Sequence, residues 1–114
     1  MKLRLHGDSL RLRLSQAEVA RLAETGRVED TLTFARGQTL SYSLETGSAL
    51  AAAFDGRRIS IVIPVAAAKH WMENDEAGIE GASGPVKVLV EKDFQCLHSG
   101  DEDADAFPNP MAGN

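Results

Sequence analysis

Leucines fall at every second position at the start of the chain. Lys2-Leu-Arg-Leu-His6 and Ser9-Leu-Arg-Leu-Arg-Leu14 both show the period of a strand with one buried face. Gly7-Asp8 between them suits a two-residue type II′ turn, glycine taking the residue that needs positive φ. The register that follows sets Leu5 opposite Leu10 and Leu3 opposite Leu12 on the inner face. Lys2, Arg4, His6, Arg11 and Arg13 then share the outer face. The period changes at Ser15-Gln-Ala-Glu18, a capping box in which the serine hydroxyl accepts from the Glu18 amide and the Glu18 carboxylate accepts from the Ser15 amide. With Val19, Leu22 and Ala23 on one face and Gly26 where a left-handed cap belongs, this predicts a helix over 15–25.

The pattern then returns to strands. Val28–Phe34 and Thr39–Glu45 form a predicted hairpin around 35–38, with Leu40, Tyr42 and Leu44 on the buried side. Ala49–Phe54 and Arg57–Ile63 flank Asp55-Gly56, a strong hairpin signal that sets Leu50 against Ile61 and Ala52 against Ile59. The opposite face, with Ala49, Ala51, Ala53 and Val62, is small enough for a helix or second sheet to approach. Pro64 opens a second helix where its missing amide costs nothing. Val65, Ala68, Trp71 and Met72 line that helix's apolar side, Gly78 follows its end, and a last strand spans Val86–Lys92. These elements predict an α+β fold: a strongly curved antiparallel sheet or partial barrel of about seven strands with two helices packed on it. Leu10–Glu29 and Ile59–Glu80 read as two copies of one unit (alternating strand, helix, glycine, short strand), the basis of a pseudo-repeat. A strand–helix–strand run also recurs in any α+β fold.

A length of 114 residues, 43% hydrophobic and 25% charged, is that of a single globular domain. The expected division is a domain over 1–98 and an acidic, Pro-containing arm over 99–114 packed on it. No apolar run approaches the roughly 20 residues of a membrane span, and the alternating start does not read as a secretory signal. One cysteine, Cys96, rules out an internal disulfide framework. The expectation is a cytoplasmic protein with no cofactor.

Charge is unevenly spread. Residues 1–36 carry a net +2, residues 37–90 a net −2 and residues 91–114 a net −5. The acidic total argues against nucleic acid as the default partner. The cationic hairpin face is the first candidate site: Arg4 lies opposite Arg11 and Lys2 opposite Arg13, and like charges across a strand pair repel. Either carboxylates of the chain itself relieve this (Glu29, Asp30, Glu45, Glu91 or the arm), or Lys2, Arg4, Arg11 and Arg13 meet an anionic ligand or an acidic protein.

Cys96-Leu97-His98 is the second candidate. Residues two apart in extended chain point the same way, so thiolate and imidazole could share a metal with His70, His6 or the carboxylates of 101–105. Cys96 could also serve as a nucleophile if Lys92 or His98 lowered its pKa. A cysteine beside Phe94 and Leu97 is more often a small buried hydrophobe. His70 and Glu73, one helical turn apart, read as a surface ion pair or hydrogen bond. Asp101-Glu-Asp-Ala-Asp105 lacks the spacing of a calcium loop and reads as a solvated run. No phosphate-binding glycine loop, nucleophile elbow or metalloprotease helix is present. The reading is a non-catalytic binding or accessory domain; the alternatives are a metal- or thiol-dependent enzyme centred on Cys96 and a dimeric DNA-binding regulator.

The opening Lys2 to Val19, the stretch from Ile63-Pro64 to Trp71, and Val90-Glu-Lys-Asp-Phe-Gln-Cys-Leu97 with Phe107-Pro-Asn-Pro110 together resemble an uncharacterised family of small bacterial proteins. The resemblance implies a bacterial source and a closing segment that belongs to the domain, and it brings no assigned activity. Ile59-Ser-Ile-Val-Ile-Pro64 followed by a helix also resembles the swapped-hairpin DNA-binding regulators, in which a dimer forms a basic DNA-facing surface. Arg57 and Arg58 at the hairpin tip are the residues such a surface would draw on here.

Overall fold

The computed structural model describes residues 1–74, 76 and 78–93. Its first hairpin pairs β1 (Lys2–His6) with β2 (Ser9–Leu14) in the expected register, Leu3 with Leu12 and Leu5 with Leu10. Gly7 turns between them at φ 55°. Helix α1 (Gln16–Thr25) starts on Ser15, whose hydroxyl accepts from the Glu18 amide while the Glu18 carboxylate takes the Ser15 amide. It stops at Gly26, which adopts the left-handed conformation at φ 79°. A second hairpin follows, β3 (Arg27–Thr33) with β4 (Thr39–Gly47), then a third, β5 (Ala51–Phe54) with β6 (Arg58–Pro64). Helix α2 (Val65–Glu73), capped by Pro64, leads to β7 (Gly78–Ser83) and β8 (Val86–Lys92).

The eight strands of the described residues form two four-stranded mixed sheets, ordered β1-β2-β8-β7 and β3-β4-β6-β5. This corrects the single curved antiparallel sheet or partial barrel of about seven strands. Each sheet is two antiparallel hairpins joined by a central parallel step, β2 with β8 and β4 with β6. No ladder joins the two sheets among the described residues. The strand left out of the count of seven is β7, read only as the short strand that closes the Ile59–Glu80 unit. Its sequence, Gly-Ile-Glu-Gly-Ala-Ser, has one large apolar residue and two glycines, too weak an alternation to read.

A second correction concerns the β5–β6 register. Ala52 faces Ile61 and Phe54 faces Ile59, two residues away from the expected pairing. The Asp55 carboxylate accepts from the amides of Arg57 and Arg58 at 2.8 and 2.7 Å. That Asx-type contact moves the turn centre to Gly56-Arg57, with Gly56 at φ 97°. A slip of two keeps every side chain on its expected face. The alanine face, however, is not a contact surface among the described residues: Ala49, Ala51 and Ala53 are exposed.

The core lies between the sheets and under the helices. Leu12, Leu14, Val88 and Val90 from one sheet meet Val28, Leu44, Ile61 and Ile63 from the other, with Leu22, Ala68 and Trp71 from the helices. Burying this many large side chains is the main stabilising term, at roughly 1.5–3 kcal/mol each. Among the described residues no helix is long and apolar enough to cross a membrane.

Candidate functional site

On the outer face of the first sheet, β1 and β2 hold the cations in the expected opposition, Lys2 with Arg13 and Arg4 with Arg11. The parallel partner β8 brings the carboxylates. Glu91, level with Arg13, lies 2.8 Å from the Arg13 Nε and 3.4 Å from the Arg11 Nε. Lys2 Nζ reaches Asp93 at 2.9 Å, and the hydrogen bond from Lys2 holds the Asp93 carboxyl below its ordinary range. Three of the four cations are thus paired within the chain. Arg4 is exposed and has no polar partner among the described residues. Of the neutralisers expected from sequence, Glu91 serves. Glu29 instead joins Arg27 and Arg58 on the second sheet, at 3.2 and 3.1 Å.

Asp30 belongs to a different cluster, which the sequence reading missed. The α-amino group of Met1 donates to Asp30 at 2.7 Å and to the Glu18 carboxylate. Tyr42 Oη donates to the Met1 carbonyl at 2.9 Å. Burial alone would lower the amino pKa, but the bonds to Asp30 and Glu18 outweigh it and hold the group above its ordinary 8.0. Burial likewise pushes the Glu18 carboxyl up, and the ammonium and Ser15 bonds bring it net below its usual value. Burial, then the negative charges of Asp30 and Glu18, raise the Tyr42 hydroxyl. The cluster links β1 to β3, β4 and α1. Its members are 1, 18, 30 and 42 in sequence, so no local motif announces it.

The metal and thiol candidates are not brought together by any described contact. His70 is exposed, with Nε2 3.0 Å from Glu76 and Nδ1 3.2 Å from the Asn74 side-chain amide; its partner is not Glu73. Lys92 donates to the Asn74 carbonyl and lies 5.7 Å from the Trp71 ring. Cys96, His98 and the arm over 99–114 lie outside the described residues. Among the described residues no three His, Cys, Asp or Glu side chains are grouped to hold a metal. Ser43 Oγ, on the outer face of the second sheet opposite Glu29, is buried without a partner among the described residues.

The outer face can do one thing chemically. It holds positive charge on a rigid ladder, with Arg4 exposed at its edge beside paired neighbours. No curated protein and no solved structure matches the chain. Residues 1–111 match a family of unknown function, DUF7009, and the chain belongs to that family.

Proposed function

We propose that the protein is a non-catalytic binding or accessory domain that presents the outer face of β1 and β2 to an anionic partner. The observation that carries this is Arg4: exposed, directly opposite Arg11, and without a carboxylate among the described residues. Lys2, Arg11 and Arg13 are already paired, so they act as a positive surround in which Glu91 and Asp93 fix the side-chain geometry. An acidic peptide fits such an edge better than a buried small anion, since no described side chain closes over Arg4.

A titration with a deca-glutamate peptide, and separately with inorganic phosphate, tests the reading by backbone NMR. Shifts centred on Arg4 and Arg11 that fade with added salt and vanish in Arg4→Glu are expected. The absence of any salt-sensitive shift at millimolar peptide removes the proposal. Binding of a short DNA duplex through Arg57 would favour the regulator reading instead.

We also infer that the two strand–strand–helix units are copies of one another. Their registers support this. Leu3–Leu12 and Leu5–Leu10 correspond to Ala52–Ile61 and Phe54–Ile59, each 49 residues on (3 to 52, 12 to 61). Gly7 and Gly56, and the caps Ser15 and Pro64, keep that spacing. The parallel steps correspond as well, Leu12–Val90 with Ile61–Leu44 and Leu14–Lys92 with Ile63–Thr46. Alignment of the two halves across many relatives tests descent; no similarity above background would leave a shared plan reached twice.

A further inference from the structure

The two sheets meet with β5 beside β7 and, on the other side, with Met1 at the head of β1 bonded to Asp30 of β3. On the β5–β7 seam Leu50 covers Gly81 so closely that an added Cβ would stand 2.6 Å from Leu50 Cδ1. Two residues further along both strands, Ser83 Oγ donates to the Ala52 carbonyl at 3.5 Å. The contact thus runs down the seam, and Phe54 is its one large apolar side chain left more than half exposed.

The β1–β3 seam starts in the same way and then opens. The Met1 ammonium meets Asp30 at its head. Beyond that point Leu32 and Phe34 continue on the face of β3 that carries Val28 and Asp30, and Leu5 continues on the inner face of β1. All three are more than half exposed: 51, 52 and 60%. The hairpin that carries Leu32 and Phe34 is also longer than its counterpart. Val28–Leu44 corresponds to Ile79–Val90, so spacing falls from 51 (28 to 79) to 46 (44 to 90), and the β3–β4 tip holds five extra residues. Arg36 sits in that tip at φ 64°, a conformation costly for a non-glycine residue. Large apolar side chains exposed at core-facing positions mark a surface that something can cover.

We propose that residues 94–111 of this chain cover the open seam, setting Phe94, Leu97 and Phe107 against Leu5, Leu32 and Phe34. The point of departure favours this occupant. The chain leaves β8 at Asp93, whose amide donates to the Leu14 carbonyl and whose carboxylate holds Lys2, the residue next to Met1 at the seam's head. From there, at roughly 3.3 Å per residue, Leu97 reaches about 13 Å and Phe107 over 40 Å, enough to pass Leu5 and the hairpin tip. The family match runs to residue 111, so this segment belongs to the sequence that the family shares. Its composition fits an intramolecular cover: Phe94, Leu97, Phe107 and Met111 are apolar, and the acidic run 101–105 lies between the anchors.

A nitroxide on Ala106→Cys, in the full chain with Cys96→Ser, reports the docking site by paramagnetic broadening of backbone amides. The expected result is strong, dilution-insensitive broadening of Leu5, Leu32, Phe34 and Leu40, with β5 and β7 spared. Broadening strongest at Arg11 and Arg13, with Leu32, Phe34 and Leu40 spared, overturns the proposal and moves the arm to the cationic face. Broadening that disappears on dilution into unlabelled protein assigns the seam to a second copy, and no broadening leaves the segment undocked; both also overturn it. In a parallel measurement, Phe107→Ser speeds hydrogen exchange in the β3–β4 tip and leaves the β5–β6 turn unchanged. Equal exchange in the two proteins counts against the proposal. Failure at the seam leaves binding at Arg4 to be decided by the peptide titration, and only an arm docked on the cationic face would bear on both readings.

Discussion

The β1–β2 and β5–β6 hairpins have the same skeleton and opposite surfaces. In both, apolar residues at alternate positions face inward, a positive-φ glycine turns the chain and the second strand runs into a helix. On the outer side one hairpin carries Lys2, Arg4, Arg11 and Arg13, and the other Ala51, Ala53, Ser60 and Val62. The seams differ in the same sense. An ammonium–carboxylate cluster holds β1 to β3, whereas Leu50 over Gly81 holds β5 to β7. Inward positions answer to packing and are constrained alike in both halves; outward positions are not, so they are where the halves differ in chemistry.

The helices test how far the packing correspondence goes. Trp71 in α2 and Leu22 in α1 stand 49 residues apart (22 to 71), and both are almost fully buried. Trp71→Ala should cost about 3–5 kcal/mol and Leu22→Ala about 2–5 kcal/mol, read from denaturant unfolding. Both should leave a single cooperative transition, because both sheets share one core. Separate transitions for the two halves would break the comparison at its root.

The seams should respond differently to solvent. Glu18→Ala removes a cap partner and an ammonium partner together and should cost roughly 1–2 kcal/mol. Leu50→Ala should cost a similar roughly 1–2 kcal/mol by lost burial. Salt separates them: added salt should shrink the first loss and leave the second unchanged. The pH dependence has a definite sign. The Met1 ammonium has a folded pKa above its ordinary 8.0, so its contribution is complete below that value and is lost as pH rises through the raised pKa. The raised Tyr42 hydroxyl adds a further loss at still higher pH. Glu18 and Asp93, both lowered, contribute above their ordinary 4.5 and 3.8 and lose that contribution as pH falls through their folded values. Stability should therefore be greatest between about pH 5 and 8. Leu50→Ala should keep that profile, and Glu18→Ala should flatten both limbs. A wild-type curve that is flat from pH 5 to 10 would remove the ionic account of the seam.

The turns are a smaller test, and they show what the sequence could and could not reveal. Gly7→Ala and Gly56→Ala, at φ 55° and 97°, should each cost about 1–2 kcal/mol in unfolding free energy, an L-residue being strained there. The Gly7 hairpin was legible in full because its register follows from adjacent residues alone. So were the Ser15–Glu18 box and the Gly26 cap, each decided within one helical turn. The Gly56 hairpin was legible only to within two residues, because Asp55 hydrogen-bonds the backbone locally and recentres the turn. The parallel steps and the Met1–Glu18–Asp30–Tyr42 cluster left no signal, since they join strands distant in sequence. The cations of the candidate site were readable, but their neutralisation by Glu91 depends on β8 lying beside β2.

The finest difference between the hairpins is Arg4 against its counterpart Ala53. Arg4 faces Arg11 and has no carboxylate among the described residues, so its charge is a small liability to the fold. Arg4→Ala should leave stability unchanged or raise it by up to about 0.5 kcal/mol, the gain shrinking in salt. Glu91→Gln should act in the opposite sense. It leaves Arg11 and Arg13 without the carboxylate they share, and about 0.5–1 kcal/mol should be lost. A double variant should show coupling between positions 91 and 11 and near-additivity between 91 and 4. If Arg4→Ala instead destabilises by more than about 1 kcal/mol, Arg4 is held by a group beyond the described residues. Arg4 would then be part of the fold, and the difference between the hairpins would be structural and not a surface left open for a partner.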